Sequence, residues 1–369
     1  MGKRPHILVA PYPAQVHVAP LMKLSVQIAA YSIKVTFVNT QFIHAQVQAA
    51  LPEEQNHITL VSIPDGLEPE DDRKDEAKLG LQDQEQLALG FHTTKLIEDG
   101  ILDTDGNSKS CESIQLSGDM PAWKHNELGW SFPGKPELRK FFFRRGCEDI
   151  GILKNSDWLL CNTFYELDPP GCNLIPNILS NVPLLPSTHV DPLAGSLNPE
   201  DSTCLDWLDK QVAGSVVYDA FGSTAKLSQL QLEELAVGLE LTGNHFLWVV
   251  RSDLVNGMHS KFIHYRWNST MEGLSMVVLF LCWPYFADQF HNKCYICETW
   301  KIGLGLEKAE NGIITSHEIN AKVNALLCSE DIKANVMHLK ETAKKSNSPG
   351  GSSFNNFERF IKRLKQLDA

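Results

Sequence analysis

The first 63 residues alternate between short apolar runs and a helical period. The predicted strands cover residues 7–10, 34–38 and 58–63. The first helix follows the apolar repeat of Leu21, Leu24, Ile28 and Ala29, and the second covers residues 42–50. We place Pro20 in a first turn, where proline is tolerated, and expect Asn39 or Thr40 to cap the second helix. This order predicts a parallel sheet with right-handed crossovers.

The middle of the chain breaks this rhythm. Residues 68–85 are acidic and lack an apolar period, which predicts surface or disordered chain. Residues 87–152 are irregular with patches of helix, and residues 157–162 predict another buried strand. Residues 183–203 are rich in Pro and Ser, which is a linker composition, so we place a domain boundary there.

The alternation resumes after this linker. The predicted strands are residues 215–221, 246–250, 277–282 and 302–306. The predicted helices are residues 228–242, 269–275 and 288–300, with further helices at the end. We divide the chain into an N-terminal Rossmann-like domain (1–182), the linker (183–203), a C-terminal domain (204–350) and a final helix (351–369). Such a pair of doubly wound domains holds ligands at the carboxyl ends of its strands.

Composition narrows the class of protein. The chain has 43% apolar residues and a formal charge of −12, which is globular and argues against general binding to nucleic acid or anionic membrane. The longest apolar run, residues 276–283, is too short for a membrane span. The nine cysteines are scattered, and no secretory signal precedes them. Reduced thiols and a cytoplasmic location are therefore expected.

Three places carry candidate chemistry, and the first is His17. It follows the first strand and opens the first helix, where an imidazole can take a proton from an incoming hydroxyl. The alternative is a helix-start histidine that the backbone satisfies.

The second candidate is residues 264–273. Asn268, Ser269 and Thr270 precede a predicted helix, whose free N–H groups favour a phosphate, and Glu272 could accept from ribose hydroxyls. The alternatives are a capping box formed by Ser269 and Glu272 and a glycosylation sequon at Asn268.

The third candidate is the pair Asp288 and Gln289 at a helix start, which suits vicinal sugar hydroxyls. Helix capping by Asp288 is the alternative. Other patterns are weak: Cys294 and Cys297 lack a redox context, and the Gly303-Leu304-Gly305 run lacks the third glycine of a dinucleotide fingerprint. The histidines and cysteines show no metal spacing.

Three segments together resemble plant UDP-glycosyltransferases, the family 1 inverting enzymes. Residues 267–289, with WKIGLGLE behind them, resemble the family's signature box. PHILVAPYPAQVHVAPLMKLS resembles the family's N-terminal strand, loop and helix, and SVVYDAFGS resembles the start of its C-terminal domain. The resemblance implies an α/β GT-B-like fold with two Rossmann-like parallel-sheet domains.

The resemblance also implies roles for individual residues. His17 matches the general base that deprotonates the acceptor. The positions that match donor contacts are His264, Asn268 and Ser269 for the diphosphate with Ser223 nearby, Glu272 for the ribose, and Trp267, Asp288 and Gln289 for the transferred sugar. The family implies a UDP-sugar donor, a small-molecule acceptor, and neither a metal nor a further cofactor.

The chain departs from the family in both domains. The Trp-Ala-Pro-Gln start of the box is absent before His264, together with a strand and a helix. A strand and a helix that carry the Asp orienting the catalytic histidine are absent around Gly80 and Leu81. Asp219 stands at an apolar strand position and is expected to need a buried partner.

The sequence therefore predicts a shortened UDP-glycosyltransferase. The expected reaction transfers a hexose, with glucose favoured, to a hydroxyl or carboxyl of a small lipophilic acceptor with inversion. The alternative is a catalytically impaired remnant that binds nucleotide weakly or does nothing. An oxidoreductase on the same layered fold is disfavoured, since the glycine fingerprint is absent.

Overall fold

The structure is a computed structural model in which most of the chain is described. The described residues are 5–13, 15–49, 57–66, 101–103, 105–109, 113–115, 118–124, 127–131, 136–175, 177–181, 202–221, 227–249, 267–285 and 288–366. The predicted acidic segment at 68–85 lies outside them, as does almost all of the predicted linker.

The strands alternate with helices along the chain. The strands are β1 His6–Val9, β2 Lys34–Thr40, β3 Ile58–Ile63, β4 Leu159–Cys161, β5 Ile178–Ser180, β6 Val216–Ala220, β7 His245–Val249, β8 Phe280–Cys282 and β9 Gly303–Gly305. The helices are α1 Gln15–Ala29, α2 Gln41–Ala49, α3 Pro136–Lys154, α4 Pro169–Leu174, α5 Ser202–Leu208, α6 Gln229–Leu241, α7 Trp267–Ser275, α8 Gln289–Cys294, α9 Ser316–Cys328, α10 Glu330–Asn347 and α11 Ser352–Gln366.

Every pairing between these strands is parallel. β1, β2 and β3 form one sheet in that order, with Val35 of β2 opposite both Ile7 and Ile58. β4 pairs with β5, β6 with β7, and β8 with β9. Parallel strands joined by helices confirm the predicted α/β class.

Helix α1 packs on the first sheet through a stripe at helical spacing. Val18, Met22 and Val26 are buried and form one cluster with Phe37 of β2. The prediction for Pro20 was wrong, because α1 begins at Gln15 and Pro20 is its sixth residue. The packing of the apolar stripe outweighs the one backbone hydrogen bond that proline removes.

Two further regions of the first half differ from their predicted elements. Asn39 and Thr40 belong to β2, which pairs with β3 as far as Thr40, and α2 begins directly after them at Gln41. Residues 136–154 form a 19-residue helix where only patches were expected. Three successive phenylalanines hide its period, since Phe143 alone is buried while Phe141 is exposed.

The second half follows its predicted elements closely. Ser228 caps α6 by accepting a hydrogen bond from the Gln231 N–H, and Gly243 after it has a φ of +66°. Only glycine adopts that conformation without strain, as expected for a residue that follows a helix.

A buried cluster joins the two halves of the chain, and we call it the seam. Phe164 and Leu167, which follow β4, pack with Met271 and Leu274 of α7 and with Trp300. The Trp300 indole N–H donates to the Leu167 carbonyl at 3.0 Å. The seam therefore fixes α7 against the end of β4.

Helix α11 returns to the first half. Its Ile361 is buried with Ile28 and Ile33, and its Glu358 accepts a 2.6 Å hydrogen bond from the Tyr31 hydroxyl. Asn356 donates to the Ser180 carbonyl at the end of β5.

Candidate functional site

His17 is the third residue of α1 and lies just beyond the carboxyl end of β1. Its ring is half-buried and meets the Tyr12 ring edge-on, with centroids 5.2 Å apart. Tyr12 belongs to the connection between β1 and α1. The imidazole therefore sits at the sheet edge where the sequence predicted it.

Helix α7 begins two residues earlier than predicted. It starts at Trp267, so Asn268 and Ser269 are its second and third residues. Ser269 is thus not the cap, and the capping-box alternative was wrong. The N–H groups of a helix's first turn point away from its body, toward the space before the helix.

The start of α7 contacts the end of β4 through Asn162. The Trp267 indole N–H donates to the Asn162 carbonyl at 2.7 Å. The Asn162 side-chain amide donates to Asn268 Oδ1 at 2.8 Å. Asn268 therefore faces the first half of the chain across the carboxyl ends of the strands.

Glu272, one turn further, forms an ion pair with Lys23 of α1. The Lys23 Nζ lies 3.6 Å from Glu272 Oε1. Lys23 follows His17 by six residues on the same helix, a rise of about 9 Å. The structure thus brings the helix of the predicted base and the helix of the predicted phosphate contacts together.

Asp288 and Gln289 lie where the chain enters α8, after the carboxyl end of β8. Gln289 Oε1 accepts from the Tyr285 N–H at 2.7 Å, and Asp288 Oδ2 accepts from Asn292 Nδ2 at 3.1 Å. Asp288 is the N-cap residue but has helical backbone angles and makes no side-chain capping bond. The capping alternative for Asp288 was therefore wrong.

Two predicted donor contacts cannot be placed. Ser223 and His264 lie outside the described residues. Within the described ranges, no group of three or more His, Cys, Asp or Glu side chains is placed to hold a metal ion. None of the helices in the described part of the chain combines the length and apolar character that crossing a bilayer needs.

Asp219 in β6 did not acquire the partner that the sequence led us to expect. Its Oδ2 is buried and accepts no hydrogen bond from any described residue. Burial raises the pKa of this carboxyl to about 7. Its neighbour in register, Trp248 of β7, also buries an indole N–H without an acceptor among these residues.

Sequence reasoning missed Asn162 and Lys23. Asn162 ends the predicted strand at 157–162, so its polar side chain at a carboxyl end was the available signal. The sequence carried no signal for Lys23, since a lysine within an amphipathic helix is ordinarily a solvated residue.

Parallel sheets in both halves, with His17, Asp288 and Gln289 beyond the carboxyl ends of their strands, are the arrangement of a GT-B fold. The structure of Phytolacca americana UGT2 complexed with UDP-2fluoro-glucose and pterostilbene is similar, with a TM-score of 0.75 and 19% identity over 98% of this chain and 100% of that one. Os79 from O. sativa in complex with UDP gives a TM-score of 0.73 at 20% identity, covering 97% and 99%.

Sequence relatives identify the family. UDP-glycosyltransferase 83A1 of Arabidopsis thaliana is 34% identical, covering 98% of this chain and 97% of its own length. Mogroside I-E synthase of Siraitia grosvenorii is 27% identical, covering 98% of each. No protein-family model matches the chain. The chain belongs to the plant UDP-glycosyltransferases, as the sequence predicted.

The relatives are longer than this chain. The alignment with the Arabidopsis protein runs over 453 positions, whereas the chain has 369 residues. The match nevertheless reaches nearly from end to end of both proteins. The difference in length is therefore internal, in agreement with the predicted loss of elements.

Proposed function

We propose that the chain transfers a hexose, with glucose favoured, from a UDP-sugar to a hydroxyl or carboxyl of a small lipophilic acceptor, with inversion. The observation that carries the proposal is the Lys23–Glu272 contact, which sets α7 against α1. A base on α1 and a diphosphate site on α7 then flank one space. Relatives along the whole chain are named enzymes, so the impaired-remnant alternative is not favoured.

His17 acts as the general base in this proposal. Its imidazole accepts the proton of the acceptor hydroxyl, whose oxygen attacks the anomeric carbon as the bond to the UDP oxygen breaks. A single in-line displacement inverts the anomeric configuration. The leaving group departs as UDP, and no covalent intermediate forms with the protein.

The start of α7 holds the diphosphate. The backbone N–H groups of its first turn and the positive end of its dipole favour a doubly charged bridge. Asn268 and Ser269 add side-chain donors, and the proposal includes Ser223 and His264 by family resemblance. These groups stabilise the leaving diphosphate without a metal ion.

The remaining donor contacts involve side chains that now have protein partners. Glu272 accepts from the ribose hydroxyls after releasing Lys23, and Asn268 turns from Asn162 to the phosphate. Trp267, Asp288 and Gln289 contact the transferred sugar. Exchanging these partners costs little, because Glu272 is half exposed and its ion pair is weak.

The test is UDP release with UDP-glucose and a panel of phenolic acceptors. We expect His17→Ala to lower turnover by about 100-fold or more, the usual contribution of a general base. Turnover that does not exceed the His17→Ala background overturns the proposal. UDP-galactose as the competing donor tests the sugar, and the product's anomeric configuration by NMR tests inversion.

We also propose a cytoplasmic location, supported by the scattered cysteines. The eight cysteines within the described residues are all free thiols. Fractionation of a tagged chain, followed by microscopy, tests this location. Accumulation in a secretory compartment contradicts it.

A further inference from the structure

Asn39 is a buried side chain whose polar atoms are unpaired. It is 2% exposed, and neither Oδ1 nor Nδ2 has a hydrogen-bond partner among the residues that the structure describes. Buried amides in native proteins are nearly always paired, so an unpaired one needs an explanation. Near a reacting group, that explanation is a partner engaged in the working state.

The position of Asn39 on β2 shows where its side chain lies. Val35, Phe37 and Asn39 alternate as the buried residues of β2, so they share one face. Phe37 packs with Val18 and Met22 of α1 on that face. Asn39 is one step nearer the carboxyl end of the strand than Phe37.

The direction of α1 places its first turn at the same end. The helix returns antiparallel to the strands it connects, so its start lies over their carboxyl ends. The cluster contacts agree, since Val18, near the start of α1, packs with Phe37, while Ile28 and Ala29, at its end, pack with Val35. His17 and Asn39 therefore occupy the same edge of the first sheet.

We propose that Asn39 is a positioning residue for His17, with its Oδ1 accepting a hydrogen bond from one imidazole N–H once the substrates are bound. This rests on the proposed function, in which His17 is the base. A bond to one ring nitrogen fixes the tautomer and the ring orientation. The other ring nitrogen keeps its lone pair for the proton of the acceptor.

Four other titratable groups lie on the elements around this edge. Tyr12 lies against the His17 ring, and His44 on α2 buries its Nδ1. The Lys23–Glu272 pair lies about two turns along α1. Every variant below keeps these four groups, so a change in His17 is attributable to position 39.

The first variant is Asn39→Leu, whose side chain has the same heavy-atom branching and no polar atoms. We expect a higher Tm, because unpaired buried groups are removed. We also expect kcat at least 10-fold lower, with KM for UDP-glucose and acceptor within about 2-fold. A structural role for Asn39 predicts the opposite, namely a lower Tm and an unchanged kcat.

The second variant is Asn39→Asp, which keeps the accepting oxygen and adds a charge. A carboxylate beside the imidazole stabilises the positively charged form of the ring, so the acid limb of kcat/KM moves to higher pH. Asn347→Ala is the matched control, because Asn347 also buries an unpaired Oδ1 but lies at the end of α10. We expect the control to leave kcat and the pH profile unchanged.

Histidine NMR separates this proposal from the proposed function. With UDP and acceptor bound, the His17 signal, assigned by its loss in His17→Gln, should shift in both Asn39→Leu and Asn39→Asp. If the wild-type chain releases no UDP, the proposed function fails, and this spectrum alone decides the contact. A His17 signal that neither variant moves overturns the positioning role.

Discussion

The seam and the sheet formed by β6 and β7 differ in whether their buried polar groups are hydrogen-bonded. At the seam, Trp267, Trp300 and Tyr295 donate hydrogen bonds to Asn162, Leu167 and Asp168. In the β6–β7 sheet, Asp219 and Trp248 are neighbours in register, and neither Asp219 Oδ2 nor the Trp248 indole N–H has a hydrogen-bond partner among the described residues.

The contrast separates a region whose hydrogen bonds specify the fold from a region in which the fold accommodates unpaired polar groups. Directional bonds at the seam define how the two halves meet, so each donor there is costly to remove. Asp219 stands in an apolar environment, beside Val217 and Phe221, which pack into the core of the second half. The free-energy cost of burying Asp219 depends on whether its carboxyl is protonated, and hence on pH.

The largest expected effect is a gain in stability from Asp219→Val. The folded-state pKa of Asp219 is about 7 against an ordinary value of 3.8, so the unfolded chain ionises first as pH rises. The contribution of Asp219 to wild-type stability therefore falls between about pH 4 and 7, by about 4 kcal/mol, and is constant above. Urea unfolding at pH 4 and pH 8 measures the difference, which should be small at pH 4 and full at pH 8.

Asp219→Asn is the control for this prediction. It keeps the shape and polarity but cannot ionise, so the pH dependence should vanish with it. An unchanged pH dependence in both variants would show that Asp219 does not titrate in this window.

The second effect is a loss at the seam. Leu274 is fully buried in the cluster that joins the halves. Leu274→Ala should lower the free energy of unfolding by about 3 kcal/mol, through lost burial and the cavity left behind. Chemical denaturation measures it, and a loss below about 1 kcal/mol contradicts close packing at the seam.

A matched pair of tryptophan variants compares the two regions directly. Trp300→Phe removes a buried hydrogen bond and leaves the Leu167 carbonyl unpaired, whereas Trp248→Phe removes an N–H that had no partner. We expect Trp300→Phe to be more destabilising than Trp248→Phe by about 2 kcal/mol. Equal values by urea unfolding would remove the distinction between the regions.

The smallest effect belongs to the exposed edge of the contact between α1 and α7. Glu272 has a half-exposed side chain, so Glu272→Gln should cost less than about 1 kcal/mol. The loss should shrink further in high salt. A cost that exceeds 2 kcal/mol and resists salt would show that the pair is more than a surface contact.

The sequence predicted most strands and the helices after residue 227, because their apolar periods are long and their caps are distinct. The prediction of elements failed where the same residues fit the patterns of two different structures. Asn39 looked like a cap but completes a strand, and three phenylalanines concealed the period of α3. At the candidate site, local motifs supplied the candidates on α1 and α7, but they did not indicate Lys23 or Asn162, since contacts between distant segments leave no local pattern.

The return of α11 to the first half has a consequence for synthesis. Ile28 and Ile33 are covered by Ile361, so an apolar surface of the first half stays open until the last helix emerges from the ribosome. At ordinary elongation rates, the residues between Ser180 and Gln366 take roughly 10–40 s to add. During that interval the nascent first half exposes an apolar surface of the kind that chaperones bind.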